Sequence, residues 1–561
     1  MLVCARSGCQ LARGQRTAGA GPTRALTEKH QILRSTRVVT FVTLLSRVFG
    51  YVRDLAIAVL LGTSFAADAF VIAFRIPNLL RRLMAEGAMT GAFIPVFTSY
   101  RVEHTEAESW DFARRMFWTL ATVLAGVTLL GILFAPELVR LFTLFSAERA
   151  EWSLAVLLTR ITFPYCLLVA LTALAGAILN THRVFGLPAS VPIFLNAAII
   201  AAAALAGLFG WREPAVALAA GVLVGGLLQL LVQLPALARR GMGFGWRLGF
   251  SHPGVRRVAW LMLPAVGGVG IYQINVVVST IFASQGEGWI SSLYYADRLM
   301  EVALGVYAIS VATVVLPVMA QQAAEKKLAE MRHTLTFALR NVAFIVVPAS
   351  VGLIVLGHPL VRMLFEYRAF GAASTELTAW ALLFYALGLP AFAAVRLVVQ
   401  GLYAVQDMVS PVRAAFIALG ANIVLCVLLV GPLRQGGLAL ATSLASYLNL
   451  ALHYVAFRRR VGPVEERHLG VSFARTAAAA AGMGLACWLL RVQFGLLEVS
   501  GFALVSRTVA AVAAGMGIFL ALAWLLRAEE LGEVYTLVTG RRVKAELPGV
   551  AAVMPDTPNR K

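Results

Sequence analysis

The sequence predicts an all-α polytopic membrane protein. Fourteen transmembrane helices are expected: two six-helix lobes related by a pseudo-two-fold axis along the membrane normal, plus two extra C-terminal helices. Three observations lead there. Of 561 residues, 60% are hydrophobic and only 14% charged, far from the balance of a soluble domain. Apolar stretches long enough to cross a bilayer as helices recur along the whole chain. They are continuous rather than alternating, which excludes a β-barrel. Helix-ending patterns also recur at a near-constant interval, the mark of an internal repeat.

Apolar length, helix breakers and flanking charges place the spans near 38–61, 68–98, 116–135, 152–179, 186–208, 213–238, 256–284, 289–320, 338–357, 374–403, 411–431, 436–457, 470–490 and 502–526. An even number puts both termini on one side. In a soluble protein the net charge of +20 would suggest a nucleic-acid partner; here its location decides otherwise. Arg239, Arg240, Arg256, Arg257, Lys326, Lys327, Arg458, Arg459 and Arg460 lie between alternate spans, whereas 62–67 and 285–290 carry no Lys or Arg. This is the positive-inside asymmetry: both termini are expected in the cytoplasm, with no nucleic acid bound.

Residues 1–36 are polar and basic and lack the apolar core of a signal peptide. They read as a disordered cytoplasmic arm or an over-extended start of the reading frame, and 528–561 as a cytoplasmic tail. Cys4, Cys9, Cys166, Cys426 and Cys487 are scattered and the eight histidines dispersed. That pattern implies neither a disulfide framework nor a metal site, and no cofactor is expected.

Phe93-Ile94-Pro95-Val96-Phe97 ends the second span, and Val315-Leu316-Pro317-Val318-Met319 ends the eighth, 222 residues later. Pro188 and Pro411 begin the fifth and eleventh spans, 223 residues apart. The shared offset predicts parallel lobes at about 37–240 and 256–460, with 470–526 as an accessory pair. Repeats of this kind place a substrate cavity between the halves and work by rocking.

Ionisable side chains at membrane depth persist only where they face protein or water and have partners. The first two spans carry Arg47, Arg53, Asp54, Asp68, Arg75, Arg81, Arg82 and Glu86. Arg47 and Asp54 share a helix face, with Arg53 well around the wheel. Asp68, Arg75, Arg82 and Glu86 fall near one face of an ideal helix, a phase that Pro77 disturbs. Asp68, Arg81 and Arg82 are also placed where charges sit near headgroups, since arginine snorkels. In the eighth span Asp297 and Glu301 lie one turn apart, placed to hold Arg298 or an arginine of the other half. A purely structural inter-lobe salt bridge is the competing reading there. Arg396 is a further mid-membrane cation in the tenth span, as readily paired within its own lobe as facing a substrate. Guanidinium is always charged and forks bidentately onto phosphate or carboxylate oxygens. A cavity lined with arginine therefore suits a diphosphate head group, and argues against organic cations.

Ser46-Arg47-x-x-Gly50-x-x-Arg53-Asp54, Asp68-Ala69-Phe70 and Pro77-Asn78-Leu79-Leu80-Arg81-Arg82-x-x-Ala85-Glu86-Gly87-Ala88 closely resemble the MurJ (MviN) family of lipid II flippases. The resemblance continues through Ile161-Thr162-Phe163-Pro164-Tyr165, Gly176-Ala177-Ile178-Leu179-Asn180-Thr181, Tyr294-Tyr295-Ala296-Asp297-Arg298-Leu299-Met300-Glu301 and Gln406-Asp407-x-x-x-Pro411-Val412. It covers roughly 37–527. The family often has a basic residue before the Gln-Asp pair, where this chain has Val405.

The resemblance implies the fold of the multidrug/oligosaccharidyl-lipid/polysaccharide exporters, with two lobes around a cationic cavity. It implies a monomeric transporter of undecaprenyl-diphosphate-linked disaccharide-pentapeptide across the bacterial inner membrane, working beside cell-wall synthesis proteins. Its cavity arginines fall on Arg47, Arg53, Arg81 and Arg298, its acidic position on Asp68, and its lipid-tail groove on 470–526. Asp54, Arg75, Arg82, Glu86, Asp297, Glu301 and Arg396 are expected to support or gate the site.

The expected mechanism is alternating access without covalent chemistry. No G-x-x-x-x-G-K-[ST] motif supplies an ATP site. The alternatives are an exporter of another polyprenyl-linked glycan, or a multidrug-type antiporter with twelve helices and an acidic cavity. A membrane-embedded glycosyltransferase or phosphatase is a third class. Its candidate carboxylates, Glu103, Glu106, Glu108 and Asp111, read instead as a solvated charge run.

Overall fold

The computed structural model describes residues 22–85, 88–143, 150–305 and 308–533; the side chains of 22–38, 80–85, 88, 90, 150–151, 263–272, 308–310 and 313 are outside the description. The described residues form nineteen helices and no strand. In order they are α1 (Pro22–Leu61), α2 (Phe65–Ala85), α3 (Ala88–Glu103), α4 (Glu106–Leu133), α5 (Ala135–Phe142), α6 (Ala150–Thr162), α7 (Tyr165–Thr181), α8 (Gly186–Phe209), α9 (Pro214–Leu231), α10 (Leu234–Ala238) and α11 (Pro253–Ala283). There follow α12 (Trp289–Gly305), α13 (Ala308–Ala324), α14 (Leu328–Phe365), α15 (Ala372–Ala404), α16 (Val409–Leu433), α17 (Gln435–Arg460), α18 (Glu466–Gln493) and α19 (Gly501–Leu525).

Among the described residues, ten helical segments are long and apolar enough to cross a membrane. The four other predicted spans fall on α1, α2–α3, α11 and α12–α13, which carry the charged motifs or lie partly outside the description. The chain is thus a multi-pass, all-helical membrane protein. Helices are the only open-ended structure that satisfies every backbone group inside hydrocarbon. The spans at 68–98 and 289–320 run through α2 and α3 and through α12 and α13, on either side of positions 86–87 and 306–307, which lie outside the described residues. Two predicted spans are interrupted: that at 152–179 between α6 and α7, where Pro164 removes a backbone donor, and that at 213–238 between α9 and α10. Helix α1 begins at Pro22, well before the predicted start of its span.

Helices α1 to α10 pack chiefly among themselves, and α12 to α17 do likewise. In the first half, α8 and α9 approach through Gly221 and Gly225. A Cβ at these positions would lie 2.7 Å from the Ala202 Cβ and 2.9 Å from the Leu195 Cα. Small residues four apart let membrane helices pack backbone to backbone. Helix α11 bridges the halves, touching α2, α3 and α4 on one side and α16 and α17 on the other. Helices α18 and α19 bury Ala479, Met483, Cys487, Ala511 and Phe519 against Phe344, Val347 and Leu356 of α14. The large apolar residues left exposed, such as Phe416, Val427 and Leu428 on α16 and Val509 and Met516 on α19, form a surface suited to lipid.

Both ends of the described chain lie at the same end of the bundle. Residues Glu529 and Glu530 meet Arg340 near the start of α14, while the far end of α14 runs into Ala369, whose N–H donates to the Val59 carbonyl at the end of α1. At that far end the halves are joined by a shared core of Ala58, Ile72, Ile76, Tyr295, Phe365 and Phe370. Gly62 makes the tight turn after α1, with φ +61°. A Cβ there would sit 2.4 Å from the Ala369 carbonyl oxygen.

Candidate functional site

Between the halves lies a cavity of about 1060 Å³. Its walls come from α1, α2, α7, α8 and α9 on one side and from α11, α12, α15, α16 and α17 on the other. Arg53, Arg75, Arg298 and Arg396 line the cavity, together with Asp297 and Glu301.

Asp54, 3% exposed, organises the guanidinium groups of Arg53 and Arg298. Its Oδ1 accepts from Arg53 Nη2 at 2.7 Å, Arg53 Nε at 3.0 Å and the Tyr294 hydroxyl at 2.8 Å. Arg298 Nε lies 3.8 Å from its Oδ2, an ion pair between the halves. Arg53 also donates to Asn196 Oδ1 at 3.0 Å, and Asn196 donates in turn to the Ser46 carbonyl. Arg298 donates to Glu301 at 2.5 Å across one turn of α12, and its guanidinium stands over the Tyr294 ring at 4.9 Å. Arg75 donates to the Thr280 hydroxyl at 2.7 Å. The half-buried cations Arg53, Arg75 and Arg298 thus each find a hydrogen-bonding partner, as low dielectric demands.

The remaining predicted residues are placed differently. Arg47 is exposed and donates to the Gly305 carbonyl at 3.2 Å, linking α1 to the end of α12 without lining the cavity described above. The face shared by Arg47 and Asp54 therefore does not define the site; the neighbours Arg53 and Asp54 do. Asp68 stands apart from the cavity at the far end, 1% exposed. Its Oδ2 accepts from the Gly288 N–H and its Oδ1 from the Ser291 N–H, both at 2.7 Å. It thereby caps α12 from the opposite half. A carboxylate on free helix N–H groups is stabilised by both hydrogen bonds and the helix dipole. Beside it, Thr63 donates to Ser374 Oγ at 2.8 Å and Tyr295 donates to the Gly62 carbonyl at 3.2 Å. The side chains of Arg81, Arg82 and Glu86 lie outside the described residues.

Sequence reasoning missed Asn196, Thr280 and the Asn275–Asn422 pair (2.8 Å) as polar parts of the site. Lone amides on otherwise apolar helices were the available signal. The carboxylates of the second-to-third loop are occupied structurally. Asp111 holds Arg114, Arg115 and Arg247, and Glu108 forms a capping box with Thr105.

A divided bundle around a cationic cavity has relatives. Residues 57–506 match the family model described as lipid II flippase MurJ. A probable lipid II flippase MurJ of Vibrio cholerae is 38% identical over 444 residues, covering 76% of this chain and 83% of that protein. The lipid II flippase MurJ of Burkholderia cenocepacia is 36% identical over 437 residues, covering 76% and 84%. Among solved structures, a lipid II flippase MurJ in an inward closed conformation superposes with a TM-score of 0.73 at 25% identity, covering 90% of this chain and 99% of that one. An inward-facing multidrug resistance MATE family transporter of the MOP superfamily shares the fold, with a TM-score of 0.61 at 13% identity over 77% of this chain and 98% of its own. With one family model spanning most of its length, and relatives above 30% identity over most of theirs, the chain belongs to the MurJ family of lipid II flippases.

Proposed function

We propose that this protein carries lipid II, the undecaprenyl-diphosphate-linked peptidoglycan precursor, from the inner to the outer leaflet of the bacterial cytoplasmic membrane. It is a transporter rather than an enzyme. The observation that carries the reading is the convergence of Arg53, Arg75 and Arg298 from both halves on one cavity. A diphosphate offers charged oxygens that guanidinium groups bind with strong, forked hydrogen bonds. The cavity is cationic rather than acidic, which favours this substrate over the cations of a multidrug antiporter.

The proposed organisation is a lobe of residues 37–240, a lobe of 256–460, an accessory pair at 470–526 that guides the lipid tail, and cytoplasmic segments at 1–36 and 528–561. The distribution of Lys and Arg supports placing both termini in the cytoplasm. The far end, closed by Asp68, Thr63 and Tyr295, then faces outward. In this state the inter-lobe polar contacts named above run from the level of Arg47 to that outer end. The head group enters from the cytoplasmic side, and the arginines hold it while the outer contacts release. Exchange of partners does the work: a dianion competes with Asp54 and Glu301 for Arg53 and Arg298, loosening the pairs that tie α1 to α12.

The test is rescue of a bacterium depleted of its own lipid II flippase, at matched membrane levels. Wild-type protein should restore growth, and Arg53→Ala and Arg298→Ala should not. Failure of a well-inserted wild type would redirect the reading to another polyprenyl-linked glycan. Rescue by both variants would remove the arginines from the mechanism.

A further inference from the structure

One wall of the cavity has the opposite chemistry to its arginines. Gln229 and Gln233 on the α9–α10 side and Thr172 on α7 are 3%, 0% and 5% exposed, and all three line the cavity. Gln229 Nε2 donates to the Val191 carbonyl at 3.1 Å; Gln233 Nε2 donates to the Thr172 carbonyl at 3.1 Å and the Gln229 carbonyl at 3.3 Å. These bonds fix which way each amide points. The Oε1 atoms of both glutamines, and the Thr172 hydroxyl, are left without a hydrogen-bond partner among the described residues. A buried acceptor without a donor costs about 1–3 kcal/mol, so three around one wall call for an explanation. Gly176 faces the same recess: a Cβ there would rest 3.4 Å from Gln233 Oε1 and 3.4 Å from the Pro188 Cβ. The absent side chain leaves room beside the oxygen, which is otherwise buried.

We infer that Thr172, Gln229 and Gln233 form an acceptor subsite that receives the neutral hydroxyl and amide N–H donors of the glycan-peptide head group. The subsite rests on the flippase reading and gives it a second recognition element. Division of labour follows from the chemistry. Arginines donate only, and serve the diphosphate; amide oxygens accept, and serve sugar hydroxyls, N-acetyl groups and peptide N–H groups. A metal cation is disfavoured, because all three groups are uncharged and the cavity already holds Arg53, Arg75 and Arg298. A site whose buried acceptors need donors also discriminates against a lipid that lacks them.

The experiment measures binding of two probes to the full-length protein in detergent: undecaprenyl diphosphate alone, and the same lipid bearing the disaccharide-pentapeptide. Gln233→Leu removes one acceptor. Gly176→Ala covers it with a methyl at ordinary contact distance and leaves the helix packing intact. Each should weaken the glycosylated lipid about three- to tenfold, the worth of one neutral hydrogen bond, and leave the bare diphosphate unchanged. Arg53→Ala should weaken both lipids. Equal losses for both probes in Gln233→Leu and Gly176→Ala, or no loss for either, would overturn the subsite. So would an effect seen only when sodium or potassium is varied, which would identify a cation site. A wild-type protein that binds neither lipid would refute the flippase reading itself, and the subsite with it.

Discussion

Replacing Asp68 by asparagine should open the far end of the protein. Asp68 accepts two backbone N–H groups at 2.7 Å from the first turn of α12, across the boundary between the halves, while 1% exposed. A hydrogen bond to a charged group contributes about 1.5–3 kcal/mol, and an anion at a helix N-terminus about 0.3–2 kcal/mol. Asparagine keeps one acceptor, turns an NH₂ donor toward the other N–H and removes the charge. The closed end should lose about 2–4 kcal/mol, raising the open population about 30- to 1,000-fold. Thr63, buried beneath Ser374, reports this directly. In a Thr63→Cys protein whose other cysteines except Cys166 are serine, modification by a membrane-impermeant maleimide should speed up by that factor on adding Asp68→Asn. Cys166, 1% exposed in the first half, is the internal control and should stay unmodified. Acceleration below about threefold at Thr63→Cys would refute the capping argument. Parallel modification of Cys166 would show general unfolding instead.

Gly62→Ala combines a left-handed backbone with a Cβ 2.4 Å from the Ala369 carbonyl oxygen, so it should accelerate the same maleimide reaction without touching the cavity. Arg340→Ala strips the counter-charge from Glu530, which is 1% exposed and bound at 2.7 Å. The uncompensated charge should cost about 3–5 kcal/mol, read as a lower melting temperature, and the paired replacement Arg340→Met with Glu530→Leu should recover most of it. Arg75→Ala removes a cavity cation whose hydrogen bond is to the neutral Thr280 hydroxyl; affinity for undecaprenyl diphosphate should fall about 10- to 100-fold, and an unchanged affinity would take Arg75 out of the site. The Ser410 N–H and hydroxyl and the Arg460 guanidinium hold the Asp407 carboxyl below its usual range. Its stabilising effect is therefore present above the ordinary carboxylate pKa and lost as pH falls through the depressed folded value. Melting curves between pH 6 and about pH 2 should show a shallower acid loss in Asp407→Asn.

What the sequence made legible follows from where physics acts locally. A membrane forces continuous apolar helices and makes each intramembrane charge conspicuous. Arg53, Arg298 and Arg396 thus stand out in the sequence, and all three line the cavity. Partnerships were less legible, because they depend on helix phase and on contacts between distant segments. The helix wheel joined Arg47 to Asp54, but α1 turns Arg47 toward the Gly305 carbonyl and leaves Asp54 to its neighbour Arg53. Asp68 looked like a cavity or headgroup charge, yet its partners are the backbone N–H groups of α12, more than two hundred residues away. Backbone donors leave no trace in a sequence. Polar amides such as Gln229 and Gln233 were invisible for a related reason: uncharged, they barely alter hydropathy, although they are costly to bury without partners.

Helix α12 connects these features. Its first turn is held by Asp68 from the other half, its middle carries Tyr294 and Arg298 onto Asp54, and its last residue accepts from Arg47. Three separate levels of one helix are therefore fastened to α1 and α2, and the middle level brings its charged fastening to the cavity. A dianion entering there competes for Arg53 and Arg298, the ions that make the middle fastening, while leaving the Asp68 cap intact. Loss of the middle contact alone does not open the far end, because the cap and the Thr63–Ser374 and Tyr295–Gly62 bonds remain. It does make release of the cap the remaining barrier along α12. The cavity and the far end are thus joined by one helix, whose middle fastening faces the head group and whose first turn holds the cap.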